Sequence, residues 1–400
     1  MKKGLLLSMA ASAVVFAGGD IAPVQPVQPA PAACDFWGSI GFRYDFNDVE
    51  VNGIGITGFG DEETNAFTAT VVLGVEKDLG YGFGFGAEVA GSFVTDGAFN
   101  KFPGVDRENA EISQLYLTYK AGNTAIKAGR MELPKAVSPW AWSDRTLNRI
   151  DTAFNGITVV NTDIQDTTLV AAWIRSASNN NNTVQIGDKG VFMLGAINTS
   201  ITNTTVSLAA YYVPDFDVNV DAKSVWGSVV TKIDNVEVGL QVAYADVDYI
   251  GWDATVGVAG YVAANYNGFD AKLTAAYIND GDAPLNMGGT SGFWGNVGYS
   301  TINGALGSAL GGDTVGEKQT IGKLDVGYKL PNDYGRIYAG AAYVKYDDVA
   351  LDKAVAGRVG YSFNLKGVNA KIEYRYSKVD DAAGNSIKAQ KIRLEGVYKF

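Results

Sequence analysis

The sequence predicts an all-β protein: a transmembrane antiparallel β-barrel of about eighteen strands, with about sixteen strands as the alternative. Segments in which apolar and polar residues alternate follow one another along the chain. The connections between these segments are alternately short and long, and the last segment ends on an aromatic residue at the C-terminus. A strand between lipid and a water-filled interior needs this alternation, because successive side chains point to opposite faces.

The C-terminal segment, residues 391–400, shows the alternation without interruption. One face carries Ile392, Leu394, Gly396, Tyr398 and Phe400, and the other carries Lys391, Arg393, Glu395, Val397 and Lys399. This ending resembles the C-terminal signal of bacterial outer-membrane barrels, and the resemblance implies that the barrel-assembly machinery recognises Tyr398 and Phe400. An edge strand of a soluble sheet alternates in the same way and is the alternative interpretation.

The N-terminal residues predict export from the cytoplasm. Lys2 and Lys3 precede a short apolar run that ends in small residues, which is the pattern of a secretory signal peptide over residues 1–19. The run is too short to cross a membrane as a helix. We therefore exclude this segment from the mature fold.

Residues 20–34 are rich in proline, which predicts an extended periplasmic leader before the barrel domain of residues 35–400. The leader ends at Cys34, the single cysteine of the chain. One thiol cannot form a disulfide within the chain, so we expect Cys34 to be free. Lipidation of this cysteine is the alternative, although no apolar run immediately precedes it.

Composition excludes several classes of protein. Hydrophobic residues make up 47% of the chain, yet the mean hydropathy is +0.01 and no later apolar run has spanning length, which argues against a helical membrane protein. The chain contains no histidine, the usual general base and metal ligand, so we expect neither an enzyme nor a required cofactor. The net charge of -11 and a pI near 4.6 oppose binding to nucleic acid.

The alternating segments predict eighteen strands. Their residues are 36–46, 67–77, 81–93, 110–120, 124–130, 154–161, 167–175, 190–198, 204–213, 221–233, 236–246, 253–266, 269–279, 318–330, 336–346, 353–365, 368–379 and 388–400. Short connections such as Asn267-Gly268 predict tight turns at the periplasmic end. Residues 293–301 also alternate, but an even strand number keeps both termini periplasmic, so residues 280–317 are predicted to be one long external loop.

The third external connection, residues 131–152, is predicted to fold into the lumen and narrow it. A ring of this size encloses a channel that side chains of the wall cannot fill unaided. The connection is long, and its two tryptophans need a surface that covers them. Its candidate constriction residues are Glu132, Lys135, Trp140, Trp142, Asp144, Arg145, Arg149 and Asp151. An exposed loop with an ordinary mixture of charges is the alternative.

A basic series lies on the faces of the last strands and the first strand that are predicted to point inward. Its members are Arg43, Arg358, Lys371, Arg375, Lys391 and Arg393. These residues either balance acidic residues of the lumen or guide anions, and the sequence leaves both alternatives open.

Acidic residues in nearly every external loop predict a weak preference for cations at the channel mouth. They include Asp61, Glu62, Glu63, Asp106, Asp215, Asp217, Asp347, Asp348, Asp380 and Asp381. Such carboxylates also allow a bound divalent cation such as calcium, although no spacing among them forms a calcium-binding motif.

Three stretches in and around residues 131–152 carry a family resemblance. They are Ile126-Lys-Ala-Gly-Arg-Met-Glu-Leu133, Trp142-Ser-Asp-Arg145 and Phe154-Asn-Gly156. The chain resembles the Campylobacter-type major outer membrane porins and, more distantly, the outer-membrane porin D family. The resemblance implies an eighteen-stranded barrel, a homotrimer and diffusion of small hydrophilic solutes. It also implies that Asp144 and Arg145 lie at the narrowest part of the channel.

We therefore expect a porin of the bacterial outer membrane, in contact with lipid and lipopolysaccharide, that passes small solutes by passive diffusion with a weak preference for cations. Two rival functions remain open. The first is a substrate-selective channel in which small charged solutes bind the basic series. The second is an adhesin or a structural barrel of the envelope, in which the lumen is closed.

Overall fold

The structure, a computed structural model, describes residues 34–58, 65–95, 109–179, 182–285, 292–297, 318–347 and 351–400. Its main feature is a closed antiparallel β-barrel. The predicted signal peptide, the predicted leader before Cys34, and residues 286–291 and 298–317 of the predicted long loop lie outside the described residues. Within the described ranges, no helix is long and apolar enough to cross a bilayer.

Eighteen strands in the described residues build the barrel. They are β1 (Asp35–Val51), β2 (Ala66–Gly80), β3 (Phe83–Thr95), β4 (Asn109–Ala121), β5 (Thr124–Met131), β6 (Ala153–Asn161), β7 (Thr167–Asn179), β8 (Val191–Asn198), β9 (Thr204–Asp217), β10 (Val220–Ile233), β11 (Val236–Val247), β12 (Thr255–Tyr266), β13 (Phe269–Ile278), β14 (Gln319–Lys329), β15 (Arg336–Tyr346), β16 (Leu351–Leu365), β17 (Val368–Asp381) and β18 (Ser386–Lys399). Each overlaps one of the predicted strands, so the predicted number is confirmed and the alternative of sixteen is wrong. Two further short strands, Ile54–Thr57 and Asn182–Gln185, pair with the ends of β1 and β7.

The first and last strands close the ring. β1 pairs in antiparallel register with β18, with Ser39 opposite Lys399, and its other edge pairs with β2. The amide of Phe400 donates to the carbonyl of Gly38 at 3.0 Å, and the amide of Gly38 donates to the carbonyl of Phe400 at 2.8 Å. The C-terminal residue therefore continues the closing ladder, and an even strand number lets every neighbouring pair be antiparallel.

The outer face of the barrel is apolar. On β11, Leu240 and Val242 are 62% and 49% exposed on the outside, whereas Gln241 and Ala243 are buried inside the ring. Similar rows of exposed apolar side chains recur on the other strands. A monomer in water rarely exposes so much contiguous apolar surface, but the hydrocarbon of a bilayer accepts it.

The inner face of the barrel carries charge. Asp45 of β1 and Arg393 and Glu395 of β18 point into the ring and form ion pairs across the strands. The dry interior of a β-sandwich would not accept this density of charged side chains. The distribution of apolar and charged residues therefore fits a barrel with lipid outside and water inside.

Tight turns join the strands at one end of the barrel. Asn267 and Gly268 connect β12 to β13 with φ angles of 48° and 85°, and Lys366 and Gly367 connect β16 to β17 with φ angles of 48° and 92°. Two-residue hairpins of this type need positive φ at both positions, a conformation that Gly and Asn adopt at little cost. The connection between β5 and β6, which is much longer, lies at the opposite end of the barrel.

Candidate channel constriction

The connection between β5 and β6 folds into the barrel, and we name residues 131–152 the constriction loop. Its apolar residues Leu133, Trp140, Trp142 and Ile150 are each at most 6% exposed. They are covered because the loop packs against the inner wall of the barrel and against a second inward loop. The predicted inward fold is confirmed, and the alternative of a fully exposed loop is wrong.

Residues 145–150 of the constriction loop form a small hairpin against β1 and β2. Arg145–Thr146 pairs with Arg149–Ile150, and the turn between them has positive φ at Leu147 and Asn148. The Asn148 side chain donates to Ser39 Oγ at 2.7 Å, and Thr70 Oγ1 donates to the carbonyl of Leu147 at 3.1 Å. The hairpin is thus attached to the wall by hydrogen bonds on both of these strands.

The close approach of the hairpin to β1 depends on a glycine. A Cβ atom at Gly41 would lie 2.9 Å from Leu147 Cβ and 3.0 Å from the carbonyl oxygen of Leu147. Both distances are tighter than normal van der Waals contact. The absence of a side chain at Gly41 therefore allows the loop to lie directly on the wall.

Arg145 is held by two carboxylates. Its Nη2 atom lies 2.9 Å from Glu88 Oε2 on β3, and Nε and Nη2 lie 3.1 and 3.0 Å from the carboxylate oxygens of Glu132. Its Nη1 atom donates to the carbonyl of Asn148 at 2.6 Å, and the guanidinium carbon lies 5.8 Å from the centre of the Trp37 ring. Arg145 therefore fastens the loop to the wall, a role that sequence reasoning did not assign to it.

Asp144, the neighbour of Arg145, is exposed inside the barrel. Its Oδ1 atom accepts the amide of Arg145 at 2.8 Å, which orients the carboxylate. Asp144 forms no ion pair with a described residue. Of the two residues that the family resemblance associates with the narrowest part, Asp144 is therefore the one whose charge faces the lumen.

The two tryptophans and Lys135 lie on the other half of the constriction loop. The Trp140 ring packs against Tyr211 of β9 with centroids 5.2 Å apart, and its Nε1 atom donates to the carbonyl of Pro284 at 3.3 Å. The Trp142 ring lies 4.7 Å below the ammonium group of Lys135. Lys135 remains exposed, so its positive charge is available to the lumen.

The last two candidate residues of the loop support the hairpin. Arg149 is 1% exposed, and its Nη1 atom lies 2.9 Å from Ser92 Oγ on β3. Asp151 accepts a hydrogen bond from Thr146 Oγ1 at 2.6 Å. Neither residue therefore presents a free charge at the surface of the loop, and both act in attaching it.

A second loop also enters the barrel. Leu285, Phe293 and Val297, between β13 and β14, are each at most 2% exposed. Gln241 of β11 accepts the amide of Trp294 at 2.9 Å, and Lys323 of β14 donates to the carbonyl of Asn296 at 2.8 Å. The sequence predicted residues 280–317 as an external loop, but their described part packs inside because its apolar side chains find cover on the inner wall.

The two inward loops touch each other. A Cβ atom at Gly292 would lie 1.8 Å from the carbonyl oxygen of Pro139, so the backbones of the loops are in direct contact there. Trp294 packs edge-on against Tyr261 of β12, with ring centroids 4.8 Å apart. Sequence reasoning missed this loop, although the adjacent aromatic residues Phe293 and Trp294 carried the same signal as the tryptophans of the constriction loop.

The basic series on β16, β17, β18 and β1 is largely paired with acids. Five of its six members lie within ion-pair distance of a lumenal carboxylate. The pairs are Arg43 with Glu395 at 3.2 Å, Lys371 with Glu395 at 3.2 Å, Arg358 with Asp325 at 2.8 Å, Arg375 with Glu373 at 2.6 Å and Arg393 with Asp45 at 2.7 Å. The pairing favours the alternative that these cations balance acids of the lumen.

Three members of the series nevertheless form an unbroken row. Arg358 lies directly opposite Arg375, and Arg375 lies directly opposite Lys391, on three successive strands. Like charges placed opposite each other in a sheet are destabilising. The five paired cations of the series share four carboxylates, so positive charge is in excess among these residues.

The acidic residues of the channel mouth are only partly described. Asp61, Glu62, Glu63, Asp106 and Asp348 lie outside the described residues. Asp215, Asp347 and Asp380 each lie within 3.4 Å of a lysine, so their charge is partly compensated. Within the described ranges, no group of three or more acidic or cysteine side chains is arranged to hold a metal ion.

No protein family and no curated protein matches this chain by sequence. Solved structures do match its fold. OpdO of Pseudomonas aeruginosa has a TM-score of 0.68 and 14% sequence identity, over 92% of this chain and 97% of that one. A BenF-like porin of Pseudomonas fluorescens Pf-5 has a TM-score of 0.67 and 14% identity, over 92% and 98% of the two chains. The outer membrane protein opdK of Pseudomonas aeruginosa has a TM-score of 0.67 and 11% identity, over 92% and 99%. This chain therefore has the fold of an eighteen-stranded outer-membrane barrel.

Proposed function

We propose that the protein is a porin of the bacterial outer membrane, through which small hydrophilic solutes and ions diffuse passively. The observation that carries this proposal is a closed ring of strands, apolar outside and charged inside, whose lumen is narrowed by the constriction loop. The likeness in fold to a BenF-like porin supports it. Transport of this kind makes and breaks no bond, so we infer no enzymatic activity.

The passage lies beside the part of the barrel wall that carries the basic series, which we name the basic wall. Hydrogen bonds and ring contacts join the described residues of the two inward loops to β1, β2, β3, β4, β9, β11, β12 and β14. On the strands between β14 and β1, Arg358 and Lys371 keep 29% of their side chains exposed. We infer that solutes pass between this wall and the constriction loop.

Charges of both signs face this passage, because the exposed carboxylate of Asp144 and the exposed ammonium group of Lys135 both lie on the constriction loop. Asp144 is on the side of the constriction loop, and the row of Arg358, Arg375 and Lys391 is on the wall. Opposed charges across a narrow aqueous gap create a transverse field that orients polar solutes and slows apolar ones. We propose that this field, with the width of the gap, determines which solutes pass.

Liposome swelling tests the channel function. Vesicles that contain the purified protein should swell in small sugars, and the rate should fall as the sugar becomes larger. A closed lumen, as an adhesin or a structural barrel would have, predicts no swelling with any sugar. Absence of swelling by correctly folded protein would therefore refute the proposal.

A second candidate function is a substrate-selective channel for small anions. The basic series favours it, because its five paired cations share four carboxylates, with Glu395 contacting both Arg43 and Lys371. Planar-bilayer conductance separates the two candidates. Saturation or block by one class of anion supports selectivity, whereas current that rises linearly with every salt supports a general pore.

We further propose a weak preference for cations and a homotrimer, as the sequence led us to expect. We also propose contacts with lipopolysaccharide and with the barrel-assembly machinery. The acidic external residues support the preference for cations. A calcium ion bound among these residues is also part of the proposal. The position of Phe400 in the closing ladder supports a role of the C-terminus in assembly. Membership of the Campylobacter-type porins is likewise a proposal, supported by the three stretches in and around residues 131–152. Crosslinking of the protein in native membranes tests the trimer.

A further inference from the structure

We propose that Glu88 is the positioning residue of the constriction loop: its buried carboxylate binds Arg145 and thereby sets the width of the passage. The inference rests on the proposed porin function. Glu88, Glu132 and Arg145 together are named the clasp. Glu88 is the member of the clasp that belongs to a barrel strand, because Glu132 and Arg145 both lie on the loop.

A β-bulge between β3 and β4 positions the carboxylate of Glu88 for its contact with Arg145. The register between β3 and β4 shifts there, with Glu88 opposite Gln114 and Val89 opposite Ile112. The additional residue, Ser113, donates from Oγ to Glu88 Oε1 at 2.5 Å, and Gln114 Nε2 donates to Glu88 Oε2 at 3.3 Å. A bulge re-aims side chains in this way, and here two consecutive residues hold one carboxylate.

At this bulge, the carboxylate of Glu88 carries a negative charge that only a cation can compensate. Glu88 is 1% exposed, and the two donors on β4 are neutral. An ionised carboxylate withdrawn from water is costly unless an opposite charge reaches it. Arg145 provides that charge at 2.9 Å, so the carboxylate is satisfied when the hairpin of the loop lies in one position.

The contact between Arg145 and Glu132 cannot hold the loop against the wall. Glu132 is at the beginning of the loop, and it would move together with Arg145 if the loop left the wall. The hairpin also bonds to the wall at Ser39 and Thr70, between neutral groups, and through the guanidinium of Arg149, which donates to the neutral hydroxyl of Ser92. An ion pair between two charged groups is stronger than these bonds. Glu88 therefore joins the hairpin to the wall by a hydrogen-bonded ion pair with Arg145.

The clasp also determines where the charge of Asp144 lies. The carboxylate of Asp144 accepts the amide of Arg145, so the position of Arg145 fixes the position of Asp144. Loss of the clasp would therefore change ion preference as well as width. This second effect distinguishes a positioning role from a merely stabilising one.

Single-channel recording of Glu88→Gln in planar bilayers tests the proposal. The substitution keeps the size of the side chain and removes its charge. We expect conductance to rise about twofold with rapid current fluctuations, and the reversal potential in a salt gradient to shift, because the loop is released. Glu111→Gln is the matched control, since Glu111 is also a buried carboxylate on a neighbouring strand but pairs with Arg130 of β5 at 3.0 Å.

A double substitution shows whether the two residues act through each other. If the clasp is correct, Glu88→Gln combined with Arg145→Gln gives the same conductance and reversal potential as Arg145→Gln alone, because Glu88 acts through Arg145. Additive effects would overturn the proposal. Glu88→Asp, which keeps the charge, should restore most of the wild-type ion preference.

Two outcomes separate this proposal from the porin function. A wild-type protein that conducts, with a folded Glu88→Gln variant that conducts identically, overturns the clasp alone. A folded wild-type protein that does not conduct refutes the porin function, on which the clasp proposal rests. Folding is checked by the mobility difference between heated and unheated samples on gels. If Glu88→Gln does not fold, Arg145→Gln removes the same ion pair from the other side, together with the contacts to Glu132 and Asn148, and unchanged conductance in that variant would overturn the clasp.

Discussion

Arg393 of β18 and Asp45 of β1 form a two-point ion pair across the seam where the barrel closes. Nε and Nη2 of Arg393 donate to the two carboxylate oxygens of Asp45 at 2.7 and 2.8 Å, although the residues are 348 positions apart in the chain. Each side chain is 14% exposed. The pair joins the two ends of the sheet at the level of the basic wall.

Replacement of Arg393 by Met should destabilise the closed barrel by about 2–4 kcal/mol, because it leaves Asp45 largely buried without its partner. The free energy of unfolding in urea, measured in phospholipid vesicles, checks this. Arg336→Met is the control: Arg336 lies 2.6 Å from Asp270, but these side chains are 42% and 36% exposed, and we expect a loss of about 0–1 kcal/mol. Equal losses in the two variants would contradict the prediction.

Asp144→Asn should make the channel less favourable to cations without changing its stability. The carboxylate is exposed inside the barrel, so its field acts on passing ions while its removal leaves no buried group unsatisfied. Reversal potentials in a salt gradient measure the shift. Asp188→Asn, at an exposed external position, is the control and should leave the reversal potential unchanged. A reversal potential that stays at the wild-type value would show that Asp144 does not act at the constriction.

Lys391→Met should reduce the permeability to anions and leave stability unchanged or raise it by about 0.5 kcal/mol, because it relieves repulsion from the opposing Arg375. Lys371→Met is the comparison, since Lys371 lies 3.2 Å from Glu395 and its loss should destabilise the barrel slightly. Ion selectivity and urea unfolding together check the pair. A marked loss of stability in Lys391→Met would show that the row of cations is structural.

Gly292→Ala should separate the two inward loops. The added carbon would collide with the carbonyl of Pro139, a backbone atom that cannot move without the loop. We expect a wider passage, seen as conductance raised by about half. Gly322→Ala on β14 is the control, because a Cβ atom there meets no neighbouring atom within 4 Å. Identical currents in the two variants would contradict the contact between the loops.

Phe400→Ala should lower the yield of folded barrel in the outer membrane. The ring of Phe400 covers Gly38, where a Cβ atom would lie 2.6 Å from it, and its loss leaves the end of the closing ladder uncovered. Gel mobility of unheated membrane samples measures the folded fraction. Lys399→Ala, a substitution on the opposite face of the same strand, is the control. Equal yields from both variants would argue against a role of Phe400 in assembly.

The strand pattern was predictable because it is local. In β11 and β18, each residue's type follows from whether it faces lipid or the lumen, and that choice repeats every two positions. The inward course of the constriction loop was predictable for a related reason, since Trp140 and Trp142 need cover. The same reasoning applied to Phe293 and Trp294 would have placed the second loop inside the barrel.

The partners of the charged residues were not predictable in the same way. Arg145 was recognised as a candidate, but its partner Glu88 is 57 positions away and is presented by a bulge that no periodicity reveals. The members of the basic series were recognised as well. Which acid each one meets depends on the register between strands, and a shift of one residue would have changed every pair.

The sequence by itself determined the number of strands, the face of each strand that meets lipid, and the closing position of the C-terminal strand. These features follow from hydration, because apolar side chains must avoid water and charged ones must avoid hydrocarbon at every residue. The tertiary structure alone decided that Arg145 fastens a loop while Asp144 remains open to the lumen. That difference arises only when the ring closes and distant carboxylates come within reach of the same guanidinium group.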